Sequence, residues 1–295
     1  MREHSRCCRN RIIACWPAAR TSGSILDMGR WLTKSASLCA NLGAILCAGF
    51  AIVLLTANGT AASEAGSACG SAALGKARVV AIPDSRTVGL DDGRLVKLAG
   101  IEWTVSPDTA KATLSELMLD QPISLKGTAT PDRYGRIHAF PSVSGSETPV
   151  QYALLERGMA VMGGRPGDKA CVDALLGRER AARAARLGLW NSGERQHSAD
   201  APNMVLRDRG QFAIVSGRVL SVRESGRLIY VNFGRRWSED FTVTIAKRNE
   251  PTFTQGGLAP KSLSGRDVRV RGFVEERSGP WIEATRPEQF EVSAK

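Results

Sequence analysis

Short apolar runs alternate with polar residues along the chain after residue 76, a pattern that predicts β-strands. Residues 77–82 predict a first strand, and an Asp-Gly turn within 90–94 leads into a return strand over 95–101. Two further strands are predicted over 123–126 and 137–140, on either side of a polar turn. These segments are typical of a small antiparallel sheet.

Helix signals lie between and after these strands. Ser106 can cap a helix that ends near residue 120, because Pro107 suits the first helical position and Asp108 lies near the positive end of the helix dipole. A second helix is predicted to open at Thr148, and a third, rich in Ala and Arg, over 168–187. This order of elements predicts an OB-type barrel with packed helices over 77–190.

The pattern changes after this region. Residues 191–204 are polar and predict a linker, as residues 63–76 predict a flexible segment. Five strand-like runs with one irregular interruption then predict a second small OB-like β-barrel over 205–295: 214–220, 228–233, 241–245, 268–274 and 281–284. The expected fold class is therefore α+β, mainly β, with two barrels.

The N-terminal 62 residues read as a targeting segment. An uncharged apolar run occupies 38–57, with Arg30 and Lys34 before it and small residues at 60–62 after it, as in a secretory signal peptide. The run is also long enough for an uncleaved membrane anchor, and a buried core helix is the third alternative. Either of the first two predicts that the folded part lies in the periplasm. Met28 opens a shorter and more conventional signal, so we predict that translation starts there.

Cysteine usage fits export. Five of the seven cysteines lie within the first 47 residues, which leaves Cys69 and Cys171 in the mature part. Two cysteines in an oxidising compartment predict one disulfide bond, which would stabilise the fold by about 4 kcal/mol in the chain-entropy model. The alternative is two unrelated thiols.

Charge narrows the choice of partner only slightly. The formal net charge is +11, and the N-terminal 62 residues hold seven basic and two acidic side chains, so +6 remains for the rest. A positive balance favours nucleic acid or a phospholipid surface, although a basic protein without a polyanionic ligand is equally compatible. With three histidines and no Cys/His ligand spacing, the sequence does not predict a zinc site.

Three stretches together resemble the staphylococcal-nuclease-like (thermonuclease) family: KLAGIEW at 97–103, DRYGR at 132–136 and GRERAARAARLGLW at 177–190. The resemblance covers 77–190 and implies an OB fold. It also implies phosphodiester cleavage with one calcium ion, in which a glutamate assists the attacking water and two arginines neutralise the charge that develops on phosphate.

The residues at the family's catalytic positions are largely replaced. Arg86 stands where the resemblance implies a calcium-binding aspartate, and Val105 stands where it implies the base glutamate. Lys97 replaces the first catalytic arginine and Glu102 replaces an aspartate, whereas Arg136 matches the second catalytic arginine. A missing general base costs about 10²–10⁴ in rate, so we expect calcium-dependent cleavage to be weak or absent and assign no catalytic residue, metal or cofactor.

Two alternatives concern the same residues. Asp84 and Glu102, with Asp91 or Asp92, could form a rearranged calcium site in an active DNA or RNA endonuclease. Arg86, Lys97 and Arg136 could instead form a cationic cluster that binds phosphate, or a surface ion-pair group with Glu102. His138, in the strand after DRYGR, is expected to be structural.

Arginines and aromatic residues recur later in the chain. The segment after residue 200 holds 16 basic and 11 acidic side chains. Its strands could bind single-stranded nucleic acid, or the aromatics could be half-buried core: Tyr230, Phe233, Arg235, Arg236, Trp237, Arg269, Arg271 and Phe273. The helix around 179–186 predicts a solvated face that could present arginines to a polyanion: Arg178, Arg180, Arg183 and Arg186.

The sequence therefore predicts an exported nuclease homologue with impaired catalysis that binds nucleic acid or a periplasmic protein partner. The alternatives are an active endonuclease and an envelope scaffold protein. An uncleaved N-terminal segment would add a membrane contact.

Overall fold

The computed structural model describes residues 68–236 and 238–293, which belong to one compact unit, Ala57–Lys295. The predicted targeting segment, the apolar run 38–57, the start at Met28 and Trp237 lie outside the described residues. No helix in the described part of the chain is both long enough and apolar enough to cross a bilayer.

The first module is a closed five-stranded barrel with helices packed against it. Around the barrel the strand order is β1-β2-β3-β6-β5. The strands of this module are β1 (Ala72–Asp84), β2 (Thr87–Leu90), β3 (Leu95–Leu98), β4 (Ile101–Trp103), β5 (Pro122–Thr128), β6 (Arg136–Val143) and β7 (Ala160–Met162). Strands β4 and β7 pair with each other beside the barrel.

Alternation of side chains explains why these strands close around a core. In β5, Ile123 and Leu125 are buried while their neighbours face outward, and Val96 and Leu98 of β3 are buried in the same way. Each such side chain stabilises the fold by about 1.5–3 kcal/mol. Gly127 allows β5 and β6 to approach closely, because a Cβ there would lie 2.3 Å from the carbonyl oxygen of His138.

The helices begin where the sequence predicts. They are α1 (Pro107–Met118), α2 (Val150–Glu156), α3 (Lys169–Ala184) and a short α4 (Leu189–Ser192). Ser106 caps α1 by accepting the N–H of Thr109, and Asp168 caps α3 by accepting the N–H of Cys171. The predicted disulfide between Cys69 and Cys171 is present and joins the segment before β1 to the first turn of α3.

The second module is built on one eight-stranded sheet. Its elements are β8 (Gln196–Ser198), α5 (Pro202–Leu206), β9 (Phe212–Arg218), β10 (Ser221–Ser225), β11 (Leu228–Asn232), β12 (Thr242–Ala246), α6 (Glu250–Gln255), β13 (Asp267–Glu276), β14 (Pro280–Ala284) and β15 (Phe290–Val292). The strand order is β10-β11-β12-β14-β13-β9-β8, with β15 paired to β13.

The five strands predicted for a second barrel are all present, and β8, β10 and β15 join them. β10 follows β9 after two residues; β9 pairs with β13 and β10 pairs with β11, so the pairings β10-β11-β12-β14-β13-β9 return to the segment from which they start. The added strands have three to five residues each and lack the apolar alternation by which the others are recognised. The core beneath the sheet includes Val231, Phe241, Phe253 and Val270.

Two segments predicted to be irregular contribute regular structure. The predicted linker 191–204 contains β8, which pairs in parallel with β9, and the start of α5. The predicted flexible segment 63–76 contains the first residues of β1, which pair with β5 through Ala72 and Gly127. In both cases the segment has little apolar content, and backbone hydrogen bonds to a neighbouring strand stabilise its regular structure.

The two modules share a buried contact. A cluster of apolar residues from both modules packs here: Val161, Ala182, Leu189, Trp190, Phe212 and Ile214. Beside it, Arg271 of β13 forms an ion pair with Glu179 of α3, and both side chains are fully buried. The prediction of a solvated face around 179–186 is therefore wrong at Glu179 and Ala182, which face the second module.

Candidate functional site

A basic cavity of about 810 Å³ opens on the first module. Four cationic side chains line it: Lys97, Arg133, Arg136 and Arg165. Strands β3 and β6 run parallel here and place Lys97 beside His138, which also lines the cavity. Arg133 lies in the turn before β6, and Arg165 lies in the Gly- and Pro-containing loop between β7 and α3. The barrel thus collects cations from separate segments.

Asp132 fixes the position of Arg136. Its Oδ2 accepts hydrogen bonds from Arg136 Nε at 3.1 Å and Nη2 at 2.8 Å, and its Oδ1 accepts the backbone N–H of Tyr134 at 2.8 Å. Desolvation raises the pKa of Asp132, but the hydrogen bonds from Arg136, Tyr134 and His138 outweigh it and hold this pKa well below its ordinary value. The carboxylate is therefore charged at neutral pH and orients the guanidinium.

The other three cations of the basic cavity lack a direct partner of the kind that Asp132 provides for Arg136. Lys97, Arg133 and Arg165 form no ion pair or side-chain hydrogen bond within the described residues. The second acidic residue of the cavity, Asp168, uses its Oδ1 to cap α3. Because four cations and only two carboxylates, Asp132 and Asp168, line it, the cavity carries an excess of positive charge that favours an anionic ligand.

An aromatic ring lies among these cations. The side chain of Tyr134 is 60% exposed, and its ring lies 4.8 Å from the guanidinium carbon of Arg133 and 5.0 Å from that of Arg136. Gly135 follows it with φ +76°, a conformation that the tight turn requires and that other residues rarely adopt. The ring can offer a stacking face beside two groups that bind phosphate.

A smaller junction cavity of about 180 Å³ lies between the two modules. The first module contributes Arg86, Glu102 and Val105 to its lining, and the second contributes Arg195, Phe212 and Phe273. Arg86 lies in the turn after β1, where its backbone N–H donates to Asp84 Oδ1 at 2.6 Å. Asp84 itself is exposed and serves this turn.

Glu102 lies on β4 and is 9% exposed. Its carboxylate forms no hydrogen bond or ion pair within the described part of the chain. Burial raises the pKa of Glu102, and the charges of Lys97, Arg86 and His138 lower it in part. Lys97 and His138 also line the basic cavity, so Glu102 lies between the two cavities. The β7–α3 loop packs closely against it, since a Cβ at Gly163 would lie 2.8 Å from Glu102 Cγ.

The structure thus divides the five family-equivalent positions between two cavities. Lys97 and Arg136 line the basic cavity, whereas Arg86, Glu102 and Val105 line the junction cavity. The phosphate-binding trio suggested by the sequence therefore does not share one cavity, because Arg86 lines the junction cavity together with residues of the second module.

The carboxylates suggested for a rearranged calcium site serve local structure. Asp91 Oδ1 accepts the backbone N–H of Arg78 at 3.0 Å, and Asp92 pairs with Arg94 at 2.6 Å. Among the described residues, no three His, Cys, Asp or Glu side chains are grouped so that they could hold a metal ion. Asp84, Glu102 and Asp91 or Asp92 therefore form no such group.

Those of the later arginines and aromatics that the structure describes differ in their exposure. Phe233 is buried, Arg271 is fully buried in its ion pair with Glu179, and Arg269 pairs with Glu291. Tyr230 is half-buried, Phe273 is 46% exposed, and Arg235 and Arg236 are exposed. On α3, Arg178 pairs with Glu156 and Arg183 with Glu291, whereas Arg180 and Arg186 are exposed.

Sequence reasoning missed several residues of both cavities. Arg133 and Tyr134 are part of the DRYGR motif but were not assigned a role, and Arg165 stands alone in a Gly- and Pro-containing loop, which is a weak signal for a site residue. Arg195 lies in the predicted linker. Its role depends on how the second module packs, which no local pattern shows.

Residues 106–192 match a protein-family model described as staphylococcal nuclease homologue. The chain therefore contains a staphylococcal-nuclease-like domain, as the sequence motifs predicted, and this domain suggests a nuclease-related function. Of the five family-equivalent positions, only Arg136 lies within the matched residues. No curated protein matches the chain.

Proposed function

We propose that the staphylococcal-nuclease-like domain binds single-stranded nucleic acid in the basic cavity and does not cleave it by the calcium-dependent route. The observation that carries this proposal is a set of cations without a direct ion pair in the described residues, around an exposed tyrosine: Lys97, Arg133 and Arg165 beside Tyr134 and the oriented guanidinium of Arg136.

Each part of this set matches one part of a nucleotide. Guanidinium groups bind phosphate oxygens through paired hydrogen bonds, and a lysine ammonium adds a point charge. The exposed ring of Tyr134 can stack on a base, a contact that contributes about 1–3 kcal/mol. At about 810 Å³ the cavity is within the size range of sites that bind small molecules and cofactors.

The residues at the family's metal position do not fit calcium. This ion takes six to eight oxygen ligands, most of them from carboxylates and carbonyls. Here Asp84 Oδ1 accepts a backbone hydrogen bond, Glu102 is the one carboxylate in the lining of the junction cavity, and Arg86 adds a permanent positive charge beside it. Val105, in the position of the base, can accept no proton. Both the metal and the base are therefore expected to be missing.

Binding is tested by fluorescence anisotropy with labelled single-stranded DNA and RNA over a series of salt concentrations. We expect saturable binding that weakens with salt, and weaker binding by Arg136→Gln and Arg165→Gln. Arg157→Gln is the matched control, because Arg157 is exposed at the end of α2, lies outside the basic cavity and has no ion pair in the described residues. Equal binding by all three variants, or no binding, would contradict the proposal.

Cleavage is tested by digestion of the same oligonucleotides with calcium and with a chelator. We expect no calcium-dependent products from the natural chain. The double substitution Arg86→Asp with Val105→Glu restores the missing ligand and base, so partial calcium-dependent cleavage by this variant would support the assignment of these two positions. Efficient cleavage by the natural chain would favour the rival function, an active endonuclease.

We further propose that the protein is exported and works in the periplasm. The disulfide between Cys69 and Cys171 supports this proposal, because such bonds persist in oxidising compartments. Mass spectrometry of the mature N-terminus, together with fractionation of cells, tests both the cleavage of the signal and the start at Met28. A scaffold role or a protein partner would be favoured if the exported protein binds no nucleic acid.

A further inference from the structure

The side chain of Glu102 is nine-tenths buried and lines the junction cavity. Within the described residues its carboxylate has no hydrogen-bond donor or ion-pair partner. Neither oxygen is among the enclosed polar atoms that lack a partner in the described residues, so both face the junction cavity and its solvent. A ligand of this cavity can therefore replace water as the donor to the carboxylate.

The charges around Glu102 restrict the chemistry of that ligand. Arg86 and Arg195 line the same cavity, and Lys97 is close enough to act on the charge of the carboxylate. These three cations disfavour a further cation such as a lysine or arginine side chain of a partner. An inorganic anion without an O–H group, such as chloride or sulfate, would satisfy the arginines but would leave the carboxylate without donors. A ligand that suits both the carboxylate and the arginines has a neutral group with N–H or O–H donors and an anionic group attached to it.

Among the nucleobases, guanine presents this combination. Its Watson–Crick edge carries two adjacent donors, N1–H and the N2 amino group, which can donate to the two oxygens of one carboxylate. Adenine and cytosine pair an amino donor with a ring-nitrogen acceptor, and uracil flanks one N–H with two carbonyl oxygens. An ionised carboxylate repels these acceptors.

The rest of the cavity suits a base. Phe212 and Phe273 form an edge-to-face pair with ring centroids 5.4 Å apart, and Phe273 is 46% exposed. Aromatic rings of this kind provide stacking or edge contacts for a base. At about 180 Å³ the cavity is smaller than most sites for whole cofactors, which limits the buried part of a ligand to one ring system.

We propose that the junction cavity is a guanine-specific subsite, in which Glu102 accepts N1–H and N2–H while Arg86 and Arg195 hold the attached phosphates. This inference rests on the proposed function, because a strand in the basic cavity would pass Lys97 and His138 and place a neighbouring base beside Glu102. The second module thereby supplies specificity, through Arg195, Phe212 and Phe273, to a site on the first.

Calorimetric titration of the natural chain with four ribonucleoside monophosphates at pH 8 tests the proposal without any substitution. GMP should bind at least about tenfold more tightly than AMP, CMP or UMP, since a paired hydrogen-bond contact of this kind discriminates by about one to two orders of magnitude. IMP keeps N1–H but lacks the amino group, so its affinity should fall between GMP and AMP. Equal affinities for GMP and AMP would overturn the inference.

Glu102→Gln places an amide donor against the N1–H or N2–H of guanine and should reduce GMP affinity to the level of AMP. Glu116→Gln is the matched control, because Glu116 is exposed on α1 without a partner in the described residues. Persistent preference for GMP in Glu102→Gln would also overturn the inference. Should this variant fail to fold, Arg195→Gln provides a second test, with weaker GMP binding and unchanged binding of guanosine.

Oligonucleotides separate this inference from the proposed function. If single strands with and without guanine bind equally, the guanine subsite fails while binding in the basic cavity stands. If no strand binds but GMP is preferred, the proposed function fails while the subsite stands. If neither strands nor monophosphates bind, both fail, and water is left as the occupant of the junction cavity.

Discussion

Arg271 on β13 donates two hydrogen bonds to Glu179 on α3, from Nη1 to Oε2 at 2.8 Å and from Nη2 to Oε1 at 3.0 Å. The same Arg271 Nη1 donates to the carbonyl of Met162 at 3.1 Å, and Glu179 Oε2 accepts the backbone N–H of Met162 at 2.7 Å. Glu291 accepts a further hydrogen bond from Arg271. A buried network thus joins β7 and α3 of the first module to the sheet of the second.

This network predicts that the modules unfold together and that Arg271→Met is strongly destabilising. Removal of one partner leaves Glu179 charged and buried, which costs about 3–5 kcal/mol. Denaturant unfolding followed by tryptophan fluorescence measures the loss. Arg209→Met is the matched control, because Arg209 pairs with Glu276 on the surface and such pairs contribute about 0–1 kcal/mol. Equal losses in the two variants would contradict the prediction.

The ion pair also shows what the sequence could not reveal. The segment ERAARAAR has the composition of a solvated helix face, and Glu179 becomes a core residue only because Arg271, 92 positions later, packs against it. In contrast, local signals sufficed for α1, since Ser106, Pro107 and Asp108 act on the first turn of their own helix. Local chemistry was predictable, and long-range burial was not.

The same distinction applies to the second module and to the site. The strands with clear apolar alternation were predicted, but the order of the strands in the sheet depends on pairings such as β12 with β14, which are distant in sequence. In the site, Lys97 and Arg136, which the motifs indicated, both line the basic cavity. They could not indicate that Arg195 and Phe273 would close a second cavity around Glu102.

The disulfide between Cys69 and Cys171 is expected to stabilise the first module. It closes a loop with a sequence separation of 102 residues, for which the chain-entropy model predicts a contribution of about 4–5 kcal/mol, less where the bond is strained. The unfolding midpoint should fall when a reductant is added. The double substitution Cys69→Ala with Cys171→Ala should also lower the midpoint and make it insensitive to reductant. If reductant does not change the midpoint of the natural chain, the bond is not formed in solution.

Glu102 is expected to make stability depend on pH. Burial raises the pKa of this carboxyl in the folded protein above its ordinary value of 4.5, so the folded state holds a proton that the unfolded state has already lost. The free energy of unfolding should therefore decrease as the pH rises from about 4.5 through the raised pKa. Glu102→Gln should abolish this decrease and stabilise the protein at neutral pH, whereas Glu116→Gln should leave the profile unchanged.

Glu291 is expected to have the opposite effect. Desolvation raises its pKa, but the positive charges of Arg271, Arg183 and Arg269 outweigh this and hold the pKa below 4.5. The stability that this group contributes is therefore complete above pH 4.5 and is lost as the pH falls through the lowered pKa. Thermal melts between pH 3 and 6 measure the slope, and Glu291→Gln should flatten it. An unchanged slope would mean that Glu291 does not ionise differently in the two states.

Salt dependence should separate the two kinds of contact in the basic cavity. Lys97→Gln removes a charge that has no partner within the described residues, so the slope of log affinity against log salt for a single strand should decrease by about 0.7. Tyr134→Ala removes a stacking face and should weaken binding by about 1–3 kcal/mol for one base while the slope stays the same. Because one substitution changes the slope and the other changes the intercept, a titration series at four salt concentrations distinguishes them. If Tyr134→Ala leaves the affinity intact, the ring does not contact a base, and the cavity binds the strand through its phosphates alone.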